Sequence, residues 1–403
     1  MTETTSTEPF GAAARSNPYP IYAYLRTQEP VHRLTLPSGR GLWLITRYDD
    51  VEQALRDPRL VKNMRNALAP DQLPRLPDEA KLILGDMLAS DPPEHTRLRA
   101  LVHKAFTPRL IERLRPRVQQ IADELLDAVQ DEGRMDLIDD YAFQLPIIVI
   151  TELLGVPSEG QHRIREWSNA IIGHDLLEDE PFPVRRRAAL TGFNAYLRDL
   201  FEHKRAHPRD DLVSGLIVVE EQGDTLSEDE LVAMVYLLLV AGHETTVNLI
   251  GNGTLALLRH PDQLRLLQAD PTLIAPAVEE LLRYDGPLET STFRYAATDV
   301  EVNGTTIPKG EIVLVVLASA NRDADRFTDP DRLDITRADN RHLAFGKGIH
   351  FCLGAPLARM EGQIAIGTLL RRLPGLRLAV PVDQLEWRPG VLIRSLRAFP
   401  VAF

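Results

Sequence analysis

Along most of this chain apolar residues recur every third or fourth position, the period of a helix with one buried face. From residue 93 onward that period predicts helices over 93–107, 116–130, 142–154, 161–173, 184–206, 228–259, 261–268 and 272–284. The stretch 227–260 is the longest. Ser227 and Glu230 have the spacing of a capping box at its start, and His260 before Pro261 ends it. Nearer the N-terminus the pattern predicts short helices over 17–25 and 48–55. Two-residue alternation appears only at the margins. It predicts an antiparallel pair over 31–34 and 41–46, strands within 290–316 around an Asn303-Gly304 turn, and short strands after 376. Residues 60–90 are irregular, and a loop of that length is usually functional. Residues 1–17 read as disordered. The pattern as a whole predicts one domain over 1–403, mainly α with small β-sheets.

Composition narrows the class. The chain has 403 residues, 44% hydrophobic and 26% charged, as in a soluble globular protein with room for a large core. One cysteine excludes an internal disulfide framework and any multi-cysteine metal cluster. A formal net charge of −12 argues against non-specific nucleic-acid binding. The opening MTETTSTEPF has no signal-peptide pattern, and the apolar run 231–242 is too short to span a bilayer. These features predict a cytoplasmic protein with no membrane contact. One segment runs against the acidic balance. Between 95 and 118, cations at 97, 99, 104, 109, 113, 115 and 117 face a single acid, Glu112. That run is either a solvated helical surface or a docking patch for an acidic partner.

The candidate chemistry centres on residues 342–361, HLAFGKGIHFCLGAPLARME, which hold Cys352. Gly346, Gly348 and Gly354 let backbone approach a bulky flat group. Leu357, Ala358, Met360 and Ile364 then repeat at helical spacing, so Cys352 sits at a helix start, where the dipole favours a thiolate. A thiolate so presented suits a nucleophile, a metal ligand or an axial haem ligand. A buried structural cysteine is the plainer alternative. AGHETT at 241–246 places Ala241, Glu244, Thr245 and Asn248 on one face of the longest helix, with His243 turned elsewhere. A buried acid and alcohol there suit proton delivery, or are simply satisfied core groups. A Thr hydroxyl bonding back to the carbonyl four residues earlier also tends to bend a helix. The zinc-protease pattern HExxH fails, because residue 247 is valine. Glu280 and Arg283 of ELLR have ion-pair spacing.

In combination, AGHETT, ELLR and FGKGIHFCLG, in this order, resemble the cytochrome P-450 family of haem-thiolate monooxygenases. The likeness runs from Asn17 to the C-terminus. SDPPEHTRLR, AGHETTVNLI and HFCLGAPLAR bring the chain closest to soluble actinobacterial enzymes that hydroxylate macrolides and other secondary metabolites. The resemblance implies the family's fold, a helix-rich region plus a smaller β-rich one, and haem b as cofactor. It implies Cys352 as the iron ligand and His95, Arg99, Arg294 and His350 as partners of the haem propionates. Phe345, Gly354 and Ala358 would adjoin the haem, and Glu244 with Thr245 would relay protons to bound O2. Glu280, Arg283 and Arg332 would form the network holding the cysteine loop. Substrate contacts would come from 60–90, the turn at 171–175, Tyr236, Val240, Ala241, Leu288 to Thr292, and Val391 with Leu392 and Ile393. Asp71, Glu79 and Asp86 are candidates to meet a substrate amine. Neither a flavin nor a nicotinamide motif occurs, so the resemblance implies electrons from a ferredoxin and its reductase, with the 97–117 run and Arg359 as the docking face. A lipophilic substrate, O2 and a monomeric state complete the expectation. Oxidative coupling by the same haem, or haem binding without turnover, are the alternatives.

Overall fold

The computed structural model describes residues 9–11, 14–36, 39–172, 183–221 and 223–403. Its helices, in chain order, are α1 (Tyr19–Gln28), α2 (Tyr48–Ala54), α3 (Glu94–Ala105), α4 (Pro108–Val129), α5 (Gln144–Leu154), α6 (Gln161–Ile172) and α7 (Val184–Ala206). They continue as α8 (Leu212–Val218), α9 (Glu228–Arg259), α10 (Pro261–Ala269), α11 (Ile274–Asp285), α12 (Leu317–Ala320) and α13 (Ala355–Arg372). The strands are short: β1 (Val31–Thr35), β2 (Gly41–Ile45), β3 (Leu60–Val61), β4 (Arg134–Asp136), β5 (Glu220–Glu221) and β6 (Asp224–Thr225). After α11 come β7 (Arg294–Ala296), β8 (Val300–Val302), β9 (Thr305–Ile307), β10 (Ile312–Val315), β11 (Arg377–Leu378) and β12 (Pro400–Ala402).

Helix α9 organises the helical region. It is apolar on nearly every side, as a helix must be when neighbours cover it all round, and α5, α7, α10, α11 and α13 pack against it. Its most apolar stretch is long enough to cross a membrane, but 67% of that window is buried inside the fold. Its hydrogen-bonded course is unbroken through AGHETT. The main sheet has the order β1-β2-β10-β7-β3. Strand β2 shows how alternation builds it: Leu42 and Leu44 enter one cluster with Tyr22, while Trp43 and Ile45 enter the opposite one with Val51. Both faces are covered, so the whole strand is buried.

Two expectations are corrected, and one helix had no expectation. Helix α4 starts at Pro108, not at 116, because Thr107 caps it through the Leu110 N–H and Pro108 fills the first turn, leaving Pro116 inside. Helix α8 has too few turns to register as a period, and Asp211 caps it. The N-terminal segment is not wholly disordered. Ala14 is buried, Arg15 reaches Glu289 at 3.3 Å, and the carbonyls of Arg15 and Ser16 accept from Arg394.

Candidate active site

The loop before α13 is shaped by its glycines. Gly346 and Gly348 take φ of 70° and 73°, a left-handed backbone that residues with a Cβ avoid. At Gly348 a Cβ would also lie 3.0 Å from the Leu55 carbonyl oxygen. Gly354, by contrast, caps α13 with an ordinary φ of −81°. The resulting turn brings the Cys352 N–H to the Phe345 carbonyl at 2.9 Å. Cys352 is half-buried. Burial pushes its thiol pKa up, while the peptide N–H groups of Gly354 and Ala355, with Arg99 and Arg359, pull it down. For the free thiol, desolvation outweighs the helix start. A metal cation at the sulfur reverses that balance, because a coordinating thiol is deprotonated outright. Phe345 lies under the Arg359 guanidinium at 4.4 Å, and Ala358 is half-buried in the first turn of α13.

A closed polar network holds this loop from behind. Glu280 and Arg283 are buried, and the guanidinium donates to both carboxylate oxygens at 2.7 and 2.8 Å. Arg283 also donates to the carbonyls of Asn321 and Pro330, at 2.9 and 2.8 Å. Asn321 in turn accepts the Leu343 N–H at 2.7 Å, which ties the network to the loop. The expectation for Arg332 is corrected. Its side chain is exposed, and only its carbonyl takes part, accepting from Arg283 and Arg337 at 3.2 Å. The second guanidinium on Glu280 belongs to Arg337, at 3.1 Å, and Asn340 adds a third donor. The Arg337 guanidinium also donates to the Asp329 carbonyl at 3.2 Å, at a turn where Asp329 has a φ of 46°.

The cationic residues divide. His95 on α3 is buried, and neither ring nitrogen has a hydrogen-bond partner. The His350 ring stands edge-on to it, 4.4 Å between centroids. Arg294 opens β7, is buried, and has an unpartnered Nε and one long bond to the Leu60 carbonyl at 3.4 Å. Burial lowers the pKa of all three, that of Arg294 to about 10. Buried donors left open in this way call for an acceptor. The two carboxylates of a haem fit these residues. Arg99 departs from expectation: it donates to the Ile349 and Phe351 carbonyls at 2.9 and 2.7 Å, so it braces the cysteine loop. Among the described residues no three His, Cys, Asp or Glu side chains gather as a metal cluster.

On α9 the face predicted from spacing forms. Glu244 is buried, its carboxylate 3.7 Å from the His243 ring. His243 turns toward α6. Its Nδ1 lies 2.7 Å from the Leu239 carbonyl, so Nδ1 carries the proton, and Nε2 meets the Ser168 hydroxyl at 3.2 Å. Thr245 donates back to the Ala241 carbonyl at 3.0 Å, and Asn248 to the Glu244 carbonyl at 2.8 Å. Sequence reasoning missed Glu361 on α13. It is 1% exposed, with neither carboxyl oxygen hydrogen-bonded. Burial pushes its pKa up to about 8, against the opposing influence of the neighbouring Thr246 hydroxyl. The acid occupies a core position of the 357, 360, 364 apolar stripe, which was the available signal.

The expected substrate contacts do not share one setting. Tyr236 is buried edge-on against Phe193, Val240 packs half-buried at the main core, and Ala241 is exposed. Leu288 bridges to Ile393, and the Leu392 carbonyl accepts the Glu289 N–H. Val391 is corrected: its side chain is 2% exposed within the cluster of Phe10 and Tyr22, so the N-terminal segment already covers it. The Thr292 hydroxyl accepts from Lys62. Asp71 is exposed, Glu79 pairs with Arg187 at 3.6 Å, and buried Asp86 accepts two N–H groups of its own turn. Most of the 171–175 turn lies outside the described residues. In the 97–117 run, Arg97, Arg113, Arg115 and Arg117 are ion-paired with Glu230, Asp210, Glu112 and Glu152, which blunts the basic patch. Ile349 and Phe351 stand exposed beside it.

Known proteins place this arrangement. Residues 187–395 match the sequence profile described as Cytochrome P450. Vitamin D(3) 25-hydroxylase of Pseudonocardia autotrophica is 50% identical over 402 residues, 99% of this chain and 97% of that protein. Cytochrome P450 monooxygenase PikC of Streptomyces venezuelae is 48% identical over 389 residues, 96% of this chain and 91% of that protein. The solved structure of myxobacterial cytochrome P450 CYP267B1 in complex with myristic acid superposes with a TM-score of 0.92 at 48% identity and 99% coverage of both chains. The chain therefore belongs to the cytochrome P450 family, whose members are monooxygenases built around a cysteine-ligated haem.

Proposed function

We propose that this monooxygenase inserts one oxygen atom from O2 into a C–H or C=C bond of a lipophilic small molecule, a macrolide or polyketide-type secondary metabolite. Its electrons come from a ferredoxin and a ferredoxin reductase. One observation carries the reading: the only cysteine ends a hydrogen-bonded loop that also bears His350, which stands edge-on to a histidine with two unpartnered buried nitrogens.

Cys352 is the residue that would hold the iron, and His95, Arg294 and His350 those that would hold the propionates. Haem so held supplies the reductive activation of O2 and the transfer of one oxygen atom. The peptide N–H groups of Gly354 and Ala355 stabilise negative charge on the sulfur and so temper its donation. Arg99 and the Glu280–Arg283–Arg337 network keep the loop from moving. Glu244 and Thr245 take up and pass protons from one face of α9. Glu361, protonated at neutral pH beside Thr246, holds a further proton one residue along the helix from Thr245. The apolar Tyr236, Val240, Leu288 and Leu392 favour a lipophilic substrate. The exposed Ile349 and Phe351 suit a partly apolar docking face for the electron donor, and Arg109 is an exposed cation of the 97–117 run. The protein works as a monomer in the cytoplasm.

The decisive experiment is the carbon monoxide difference spectrum of the reduced protein. A Soret band in the thiolate position is expected, and one in the histidine position would overturn the assignment of Cys352. For the relay, Thr245→Ala should lower product formed per electron about tenfold, with the missing electrons recovered as peroxide. Unchanged coupling would remove Thr245 from the relay.

A further inference from the structure

The chain around Leu288 and the chain around Ile393 are laced into one wall. Leu288 bridges to Ile393, and the Glu289 N–H donates to the Leu392 carbonyl at 2.9 Å. The Thr290 hydroxyl donates to the Val391 carbonyl, and the Arg394 N–H to that of Pro287, each at 2.9 Å. Behind this wall lies the N-terminal segment, with Phe10 in the same apolar cluster as Val391. The segment is held at two points that differ in kind. At the first, the Arg394 guanidinium donates to Asp285 at 2.7 Å and to the carbonyls of Arg15 and Ser16 at 2.7 and 3.2 Å. Tyr19 donates to the same Asp285 oxygen at 2.6 Å, so this anchor is short and complete. At the second, Glu289 accepts from the Arg15 guanidinium and from the Tyr22 hydroxyl, both at 3.3 Å, beyond the ordinary hydrogen-bond length. Glu289 is 1% exposed, and Nη2 of Arg15 is buried without a partner. One point is a fixed anchor, and the other is a loose contact between two charges in a dry setting.

We propose that Glu289 is a positioning residue for substrate: through Arg15 it latches the N-terminal segment to the back of this wall, and the latch sets the shape of the wall on its pocket side. The inference rests on reading the two stretches as substrate-facing. Glu289 suits the role because Leu288 and Thr290, on either side of it, are bonded across to Ile393 and Val391. A shift of its side chain is thereby carried into both stretches, while Arg394 keeps the segment tethered. The groups that face the carboxyl are Arg15, Tyr22 on α1, Arg394 and, as a like charge, Asp285 at the end of α11. Burial pushes its pKa up to about 7, against the pull of Arg394 and Arg15. Below that pH the folded protein holds a neutral acid there, and above it a carboxylate. The ionic form of the latch therefore sets in as pH rises through neutrality.

The test uses the holoenzyme and two iron ligands that share one ring, imidazole and the bulky apolar miconazole, titrated by the Soret shift. At about pH 8, Glu289→Gln should weaken miconazole binding about fivefold, the difference between a charged and a neutral hydrogen bond. Imidazole, too small to reach the wall, should bind both proteins alike. At about pH 6 the difference for miconazole should shrink toward nothing, since the wild-type carboxyl is then itself mostly neutral. Arg15→Met should match Glu289→Gln and add nothing to it in the double variant, and Arg15→Lys should recover most of the affinity. Amide hydrogen exchange over 14–22 should quicken in both single variants. Unchanged exchange would overturn the latch, and an equal loss for imidazole would show that Glu289 only supports the fold. Faster exchange with unchanged miconazole affinity would instead defeat the reading of these stretches as substrate-facing, and the proposal with it.

Discussion

Glu280 and Glu361 are both wholly buried carboxylates on helices packed against α9, and their surroundings are opposite. Glu280 accepts from two guanidiniums, an amide and the Asp334 N–H, so its charge is fully compensated. Glu361 has no hydrogen bond to either oxygen. A completed network is a brace, stiff and charged, and here it stands behind the cysteine loop. An uncompensated acid in the same core stays neutral instead, and keeps a proton that can be given up. The same contrast separates Arg283, with every donor engaged, from Arg294 and Lys62, which make no ion pair among the described residues. Of the buried groups without a hydrogen-bond partner among the described residues, His95 and Arg294 belong to the proposed site.

The comparison breaks most readily at its closed end. Arg283→Ala leaves Glu280 short of its main partner in a dry core, and should cost about 3–5 kcal/mol of unfolding free energy with loss of bound haem. A loss under about 1 kcal/mol in denaturant titration would mean that Arg337 and Asn340 suffice alone. At the open end the sign reverses. The Glu361 carboxyl binds its proton up to about pH 8 in the folded state but only to about 4.5 once unfolded. The folded state therefore binds more protons across that window, and stability falls as pH rises through it. Glu361→Gln removes the slope and should stabilise the protein by about 3 kcal/mol at pH 7, and hardly at all below pH 4.5. Unfolding curves at several pH values check this, and parallel slopes would show that Glu361 is compensated after all. A smaller effect distinguishes the two candidate arginines of the brace. Arg337→Ala should cost about 1–3 kcal/mol, since its guanidinium bonds Glu280. Arg332→Ala, which keeps the carbonyl that matters, should stay within about 0.5 kcal/mol. The reverse order would restore the side chain of Arg332 to the network.

Much of the fold was legible because it is local. The capping box at Ser227 formed as spacing predicts, with Glu230 closing it. The β1–β2 pair and the Asn303-Gly304 turn between β8 and β9 also appeared, since alternation and a positive-φ turn need no distant information. Helix α8 and the docked residues 14–17 escaped. The helix is too short to show a period, and the segment is ordered by Glu289 and Arg394, which lie far along the chain. At the site, the face of Glu244 and Thr245 was readable from helix geometry. The settings of Arg99, Glu361 and Val391 were not, because each depends on which surface packs over it.

The sequence by itself determined the family, the cysteine loop and the acid and alcohol on the longest helix. These are properties of residue type at fixed short spacing, which backbone geometry converts directly into structure. Only the tertiary structure decided which arginine completes Glu280, which acid is left without a partner, and that Arg15 meets Glu289. Those facts arise where segments remote in sequence meet in a core of low dielectric. There a charge is either answered by a neighbour or left for a ligand, and no spacing rule along the chain can say which.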